Sequence, residues 1–205
     1  MHSFDFDPES VAATAELRQR FAPESAWRVE EGSVLDPHFL AGLGSFDVVY
    51  SWGVLHHTGD LWAAVNAAAD RVAPGGMLFI SIYNDQGAES RAWRRVKRRY
   101  NRSARATRAM LIAVSCAYLW RRAPVSYLAR ALRRASGPDV RPVRVRGMSR
   151  RHDLIDWVGG YPFEVARPEE VFAAVHRLGF ELRHLTTCGG GIGCNEFVFQ
   201  RFVRC

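Results

Sequence analysis

The chain has 205 residues, 48% of them hydrophobic, and a formal net charge of +7. That length fits one domain and that apolar content supports a core, which excludes an intrinsically disordered protein. Four cysteines (Cys116, Cys188, Cys194 and Cys205), without a signal-type N-terminus or metal-type spacing, point to a reducing cytoplasm and argue against a disulfide framework or a metal site.

Along the chain, Asp7-Pro8 predicts a helix over Glu9 to Phe21, because Asp accepts from free N–H groups and Pro suits the first helical position. Val11, Ala15 and Leu17 would face a sheet. Trp27 to Glu30 reads as a short strand. Phe46 to Ser51 is an apolar run rich in β-branched and aromatic residues, as expected of a strand buried on both faces. A helix over Asp60 to Val72, with Asp60 as N-cap, precedes Pro74-Gly75-Gly76, a stop-and-turn signal, and a further strand from Met77 to Tyr83. Strand, loop, helix, turn and strand in this order make a unit of parallel sheet.

From Arg91 the character changes. Arg91 to Arg151 holds 19 Lys or Arg and one acidic residue, Asp139, so the rest of the chain carries a net −11. Such a segment signals an anionic partner, a membrane face, or a solvated helix packed on an acidic body. Met110 to Trp120 is apolar but too short to span a bilayer. Its basic flanks suit an interfacial helix, and a helical cap packed on its own domain is the preferred alternative. Gly137-Pro138 and Arg141-Pro142 mark a loop. The stretch from Arg146 to Glu164 mixes polar, aromatic and Gly residues in the manner of pocket lining. A last helix over Pro168 to Leu178, stopped by Gly179, leads to an antiparallel hairpin, with Gly189 to Gly193 as its Gly-rich loop.

The two segments "FDVVYSWGVLHH" and "VAPGGMLFISIY" resemble the fourth and fifth strands of class I S-adenosylmethionine-dependent methyltransferases. Ser3 to Ser10 resembles the end of that family's second strand, and Gly179–Leu182 with Asn195–Phe199 resembles its closing hairpin. The resemblance implies a Rossmann-like α/β fold of parallel strands with a C-terminal antiparallel hairpin. It covers the chain except Arg91 to Arg151, and lacks the family's first strand and Gly-rich cofactor loop. The expected organisation is a single domain: a partial core over 1–90, a basic helical insertion over 91–151, and a substrate-side loop, last helix and hairpin over 152–205.

The resemblance implies S-adenosyl-L-methionine as methyl donor. Asp5 matches the carboxylate that binds the ribose hydroxyls, although it is also readable as a turn residue beside a capping Asp7. Phe6 would lie along the adenine, with Ser33 and Val34 at its edge. Ser33 stands where the family often has Asp, which makes Asp36 a substitute. Ser51, Trp52 and Gly53 follow the fourth strand at the edge where open α/β sheets bind ligands, though Trp52 also suits a core. His56 would sit near the donor.

His57 and His152 are the candidate bases, since an imidazole accepts a proton near neutral pH and Asp153 stands beside the second. Trp157, Tyr161 and Glu164 would line the acceptor pocket. The "VLHH" form resembles methylases of small molecules, including quinone precursors. It favours O- or C-methylation of a small, in one version lipid-linked, acceptor, with peripheral membrane contact through 91–122. The absence of an Asn/Asp-Pro-Pro-Tyr/Phe motif after the fourth strand makes nucleic acid a less favoured acceptor. Without the Gly-rich loop, the chain alone is expected to bind the donor weakly. The alternative is a non-catalytic module holding RNA or an anionic membrane through Arg91 to Arg151.

Overall fold

The computed structural model describes residues 1–120, 150–189 and 191–203. They form two compact units, Met1–Gln86 with Glu164–Cys205, and Gly87–Phe163. The sequence alone set the basic insertion slightly inside the second unit.

In the first unit, β1 (His2–Asp5) leads into α1 (Pro8–Phe21). Asp7 caps the helix by accepting from the Ser10 backbone N–H at 3.0 Å and its hydroxyl at 2.8 Å. These bonds hold the Asp7 carboxyl below the usual carboxylate range, the Ser10 hydroxyl being the largest cause. Val11 and Ala15 are half-buried as expected, but Leu17 is exposed and no residue of α1 is fully buried. The correction has a plain cause: β2 (Arg28–Glu31) pairs with β1 in parallel, and these two strands form a sheet of their own, too narrow to bury a helix face.

The second sheet has the order β3-β4-β6-β5. β3 (Phe46–Trp52) runs parallel to β4 (Val72–Tyr83), β4 pairs antiparallel with β6 (Cys194–Arg201), and β6 pairs antiparallel with β5 (Phe180–Thr186). The Pro74-Gly75-Gly76 turn lies within β4, as a bulge: Phe46 pairs with Val72 and Val48 with Met77. Gly75 makes this possible with a φ of 78°.

α2 (Pro37–Ala41) precedes β3, and a 3-10 turn (Leu55–His57) and α3 (Leu61–Asp70) connect β3 to β4. Asp60 caps α3 by accepting from the Ala63 N–H at 3.1 Å. α3 and the later helix Pro168–Arg177 pack their apolar residues on this sheet. Val65, Leu78, Ile82, Val175, Phe197 and Phe199 are the centre of that core.

β3 and β1 do not pair with each other, and among the described residues each has one strand neighbour. On β3, Val48 is 51% and Tyr50 67% exposed. The apolar run read as buried on both faces is therefore open on this one, because no described element covers it.

The second unit contains α4 (Ala88–Asn101), α5 (Arg105–Trp120) and α6 (Arg150–Gly159), so the final helix of the first unit, Pro168–Arg177, is α7. α4 and α5 form an antiparallel hairpin: Arg108 near the start of α5 donates to the Tyr100 and Asn101 carbonyls, while the Tyr118 hydroxyl near its end donates to Glu89 at 2.9 Å. α4 turns Trp93 and Lys97 inward; Trp93 packs edge-on against Tyr118 of α5 and Trp157 of α6. The loop read at Gly137-Pro138 and Arg141-Pro142, and residues 146–149 of the pocket-like stretch, lie outside the described residues.

Candidate functional site

Asp5, Ser33 and Ser51 to Gly53 lie at or just beyond the carboxyl ends of parallel strands, where loops leave the sheet and ligands of open α/β sheets bind. Asp5 ends β1. Its Oδ1 accepts from the Asp7 N–H at 2.9 Å and its carbonyl accepts from the Gly32 N–H at 3.0 Å, so the turn reading of Asp5 holds. That bond leaves the second carboxylate oxygen for another donor, and the next residue, Phe6, is 77% exposed.

At the end of β2, Gly32 lies directly against Phe39. A Cβ at Gly32 would fall 2.3 Å from Phe39 Cζ, so any side chain there would have to displace the Phe39 ring. Phe39 in turn meets Phe4 of β1 edge to face at 5.0 Å. This aromatic seat explains the close return of the chain after β2, and its signal was no more than a glycine at a strand end. Ser33 uses its hydroxyl to accept from the Leu35 N–H at 3.1 Å, and Val34 packs against the main core. Asp36 is the N-cap of α2, with Oδ1 accepting from the His38 N–H at 2.9 Å and the Phe39 N–H at 3.3 Å. Its carboxylate therefore has a structural task that the sequence reading did not assign.

At the end of β3, Ser51 and Trp52 are half-buried, and the Trp52 indole N–H donates to Glu196 of β6 at 3.2 Å. Gly53 takes a φ of 77° with open space where a Cβ would be. The following 3-10 turn presents His56 and His57 to Tyr83, the last residue of β4. The His56 ring lies 4.0 Å from the Tyr83 ring and the His57 ring 5.5 Å from it, with 4.6 Å between the two imidazoles. His56 is fully buried, whereas His57 is half-buried. Of the pair, His57 has the solvent access that a proton acceptor exchanging with bulk water requires.

Glu164 joins this loop. Its backbone N–H donates to the His56 carbonyl at 3.0 Å and its Oε2 accepts from the Gly59 N–H at 3.1 Å. Nearby strand ends are tied by Asn195, which donates to Asn84 Oδ1 at 3.0 Å and accepts from the Cys188 N–H at 3.1 Å. The sequence reading missed Tyr83, Glu196 and Asn195. Tyr83 was the one with a usable signal, as the last residue of a predicted parallel strand.

Trp157 and Tyr161 belong to the helical unit. Trp157 packs against Trp93 and Phe163, at ring distances of 5.6 and 6.1 Å, and its carbonyl accepts from the Lys97 ammonium. Lys97 Nζ also lies 4.1 Å from the centre of the Trp157 ring and 4.7 Å from that of Phe163. Burial drives its pKa down to about 7, against the opposing attraction of Asp156. The side chain of His152 lies outside the described residues. Among the described residues, no group of three or more His, Cys, Asp or Glu side chains is placed to hold a metal ion.

The family model described as a methyltransferase domain matches residues 1–78. No curated protein matches the chain. Among solved structures, an O-methyltransferase family protein from Burkholderia thailandensis is similar over 98% of this chain and 43% of its own, with a TM-score of 0.54 and 16% identity. PKMT2 from Rickettsia typhi, in complex with AdoHcy, is similar over 97% and 43%, with a TM-score of 0.55 and 11% identity. The N-methyltransferase NodS from Bradyrhizobium japonicum WM9 is similar over 98% and 72%, with a TM-score of 0.50 and 14% identity. The chain thus spans less than half the length of two of these proteins. Residues 1–78 are thus similar to a methyltransferase domain, and the α/β architecture of the chain is that of these solved structures.

Proposed function

We propose that this chain takes part in methyl transfer from S-adenosyl-L-methionine to a small-molecule acceptor, at oxygen or carbon. The observation that carries the reading is the placing of Asp5 and of the His56–His57–Tyr83 cluster at the carboxyl ends of parallel strands.

The residues present fit part of the donor. Asp5 has a carboxylate oxygen beyond its turn bond, suited to a ribose hydroxyl, and the Phe6 ring stands exposed beside it for an adenine face. Ser33 and Val34 supply backbone groups for the adenine edge; Asp36 serves it through α2, which it caps. Ser51, Trp52, Gly53 and His56 form the strand-end wall. When bound, the donor supplies an electrophilic methyl group on sulfonium. What the protein then adds is mainly orientation and exclusion of water. His57 accepts a proton from an acidic acceptor hydroxyl, with Tyr83 setting its ring; His152 is the second candidate base. Glu164, tied to the His56–Gly59 loop, Trp157 and Tyr161 are the acceptor-side candidates. Among the described residues no Gly-rich turn lies between a strand and a helix, so donor binding by this chain alone is expected to be weak.

Calorimetric titration of S-adenosyl-L-methionine and S-adenosyl-L-homocysteine into the folded chain tests the reading. Binding that falls about tenfold or more in Asp5→Ala, the scale of one hydrogen bond to a charged group, supports it. Absence of binding in the folded wild type would remove the autonomous enzyme. A lipid-linked acceptor, and cytoplasmic placement with peripheral membrane contact through 91–122, complete the proposal. The arginine-rich surface of the helical unit favours them.

A further inference from the structure

We infer that α4 and α5 form a docking face for an anionic lipid bilayer, a partner assignment that rests on the proposed lipid-linked acceptor and specifies where the membrane is met. Two observations on different helices carry it. Arg91, Arg95, Arg98 and Arg99 on α4, with Arg102 just past its end, recur at helical spacing, opposite the buried Trp93 and Lys97, and all five are exposed. None of them forms an ion pair among the described residues, and the carboxylate of Glu89 on the same helix accepts from Tyr118. An exposed row of unneutralised guanidinium groups calls for an anionic partner.

On α5, the outward face is apolar. Met110 is 57% and Val114 61% exposed, four residues apart, with Ala106, Ala113 and Ala117 exposed on the same side. Arg105 and Arg108 stand exposed at the start of that helix. RNA is recognised by charge and by stacking aromatic side chains. Here the exposed stripe is aliphatic and thioether, which suits acyl chains just below a headgroup layer. No described helix is long and apolar enough to cross a membrane, so the contact lies in the interface plane. Arginines bind the phosphate headgroups, while Met110 and Val114 enter the acyl boundary.

Flotation of the full chain with vesicles of phosphatidylcholine, with and without phosphatidylglycerol, tests this, with helix content by circular dichroism as the folding control. The wild type is expected to float with phosphatidylglycerol vesicles alone, less so as salt rises. The triple variant R91Q/R95Q/R99Q should lose about a hundredfold in partitioning, the combined effect of three surface charges. The double variant M110S/V114S should lose at least about tenfold while keeping its salt dependence. Failure of the wild type to float, or equal flotation of the double variant, would overturn the inference. So would displacement of the protein from vesicles by single-stranded RNA at low concentration, which would assign the arginines to a nucleic acid. The assay contains no methyl donor, so its failure is separate from a failure of donor binding.

Discussion

The two compact units differ in what lies at their centres. The sheet unit buries aliphatic and aromatic side chains from α3, α7 and four strands, with Leu78, Ile82 and Phe199 fully enclosed. The helical unit closes over the amine of Lys97, which lies against the Trp157 and Phe163 rings and is bonded to the Trp157 carbonyl. One core draws on apolar burial, which protons do not change; the other contains the only buried Lys, Arg, Asp or Glu among the described residues. The lesson is that the same chain builds one centre from apolar side chains and closes the other over an amine that titrates close to neutrality.

The largest expected effect attacks the first core. Phe199→Ala should lower the unfolding free energy by about 3–5 kcal/mol, measured by urea denaturation, because a buried ring is lost and the surrounding sheet cannot collapse. A loss under about 1 kcal/mol would show that β6 is not the centre of the sheet unit.

The next concerns Lys97. Its folded pKa, about 7, lies below the ordinary value of 10.5, so the folded unit binds fewer protons than the unfolded one between those limits. Burial is therefore without charge penalty above about 10.5, grows costly as pH falls, and reaches its full cost below about 7. Stability of the helical unit should rise with pH across that window, by at most about 1.4 kcal/mol per pH unit. Lys97→Met should remove the slope. A wild-type stability flat from pH 7 to 10 would erase the contrast between the cores.

Smaller effects sharpen the comparison within the sheet unit. Asp60→Ala removes the bond to the Ala63 N–H at the start of α3 and should cost about 1 kcal/mol, read as a lower denaturation midpoint. Phe21→Ser, on the exposed end of α1, should change stability by no more than about 0.5 kcal/mol, as for surface positions generally. Equal costs for Phe21→Ser and Phe199→Ala would mean that the two-stranded half is as well packed as the four-stranded half.

Much of the architecture was legible from residues alone. Asp7-Pro8, Asp60 and Gly179 set helix ends where the structure has them, since caps and left-handed glycines act within a turn of their own position. The placing of Asp5 and of Ser51 to His57 at strand ends also followed from chain order. Other details were not local. Pro74-Gly75-Gly76 signalled a turn but became a bulge inside β4, because pairing with β3 continues on both sides of it. Asp36 was read only as a ligand residue, and that one of its carboxylate oxygens also caps α2 was not legible.

What the sequence by itself determined is the identity and order of the elements, because apolar periodicity, caps and turn residues express preferences of a few neighbouring residues. The tertiary structure alone decided burial and partnership: that Val48 and Tyr50 of an apolar strand stand exposed, that Tyr83 meets both histidines, and that one lysine of a basic segment lies at a core's centre while its neighbours face outward. These depend on which distant segments cover a face, and side-chain type at one position carries no record of what packs against it.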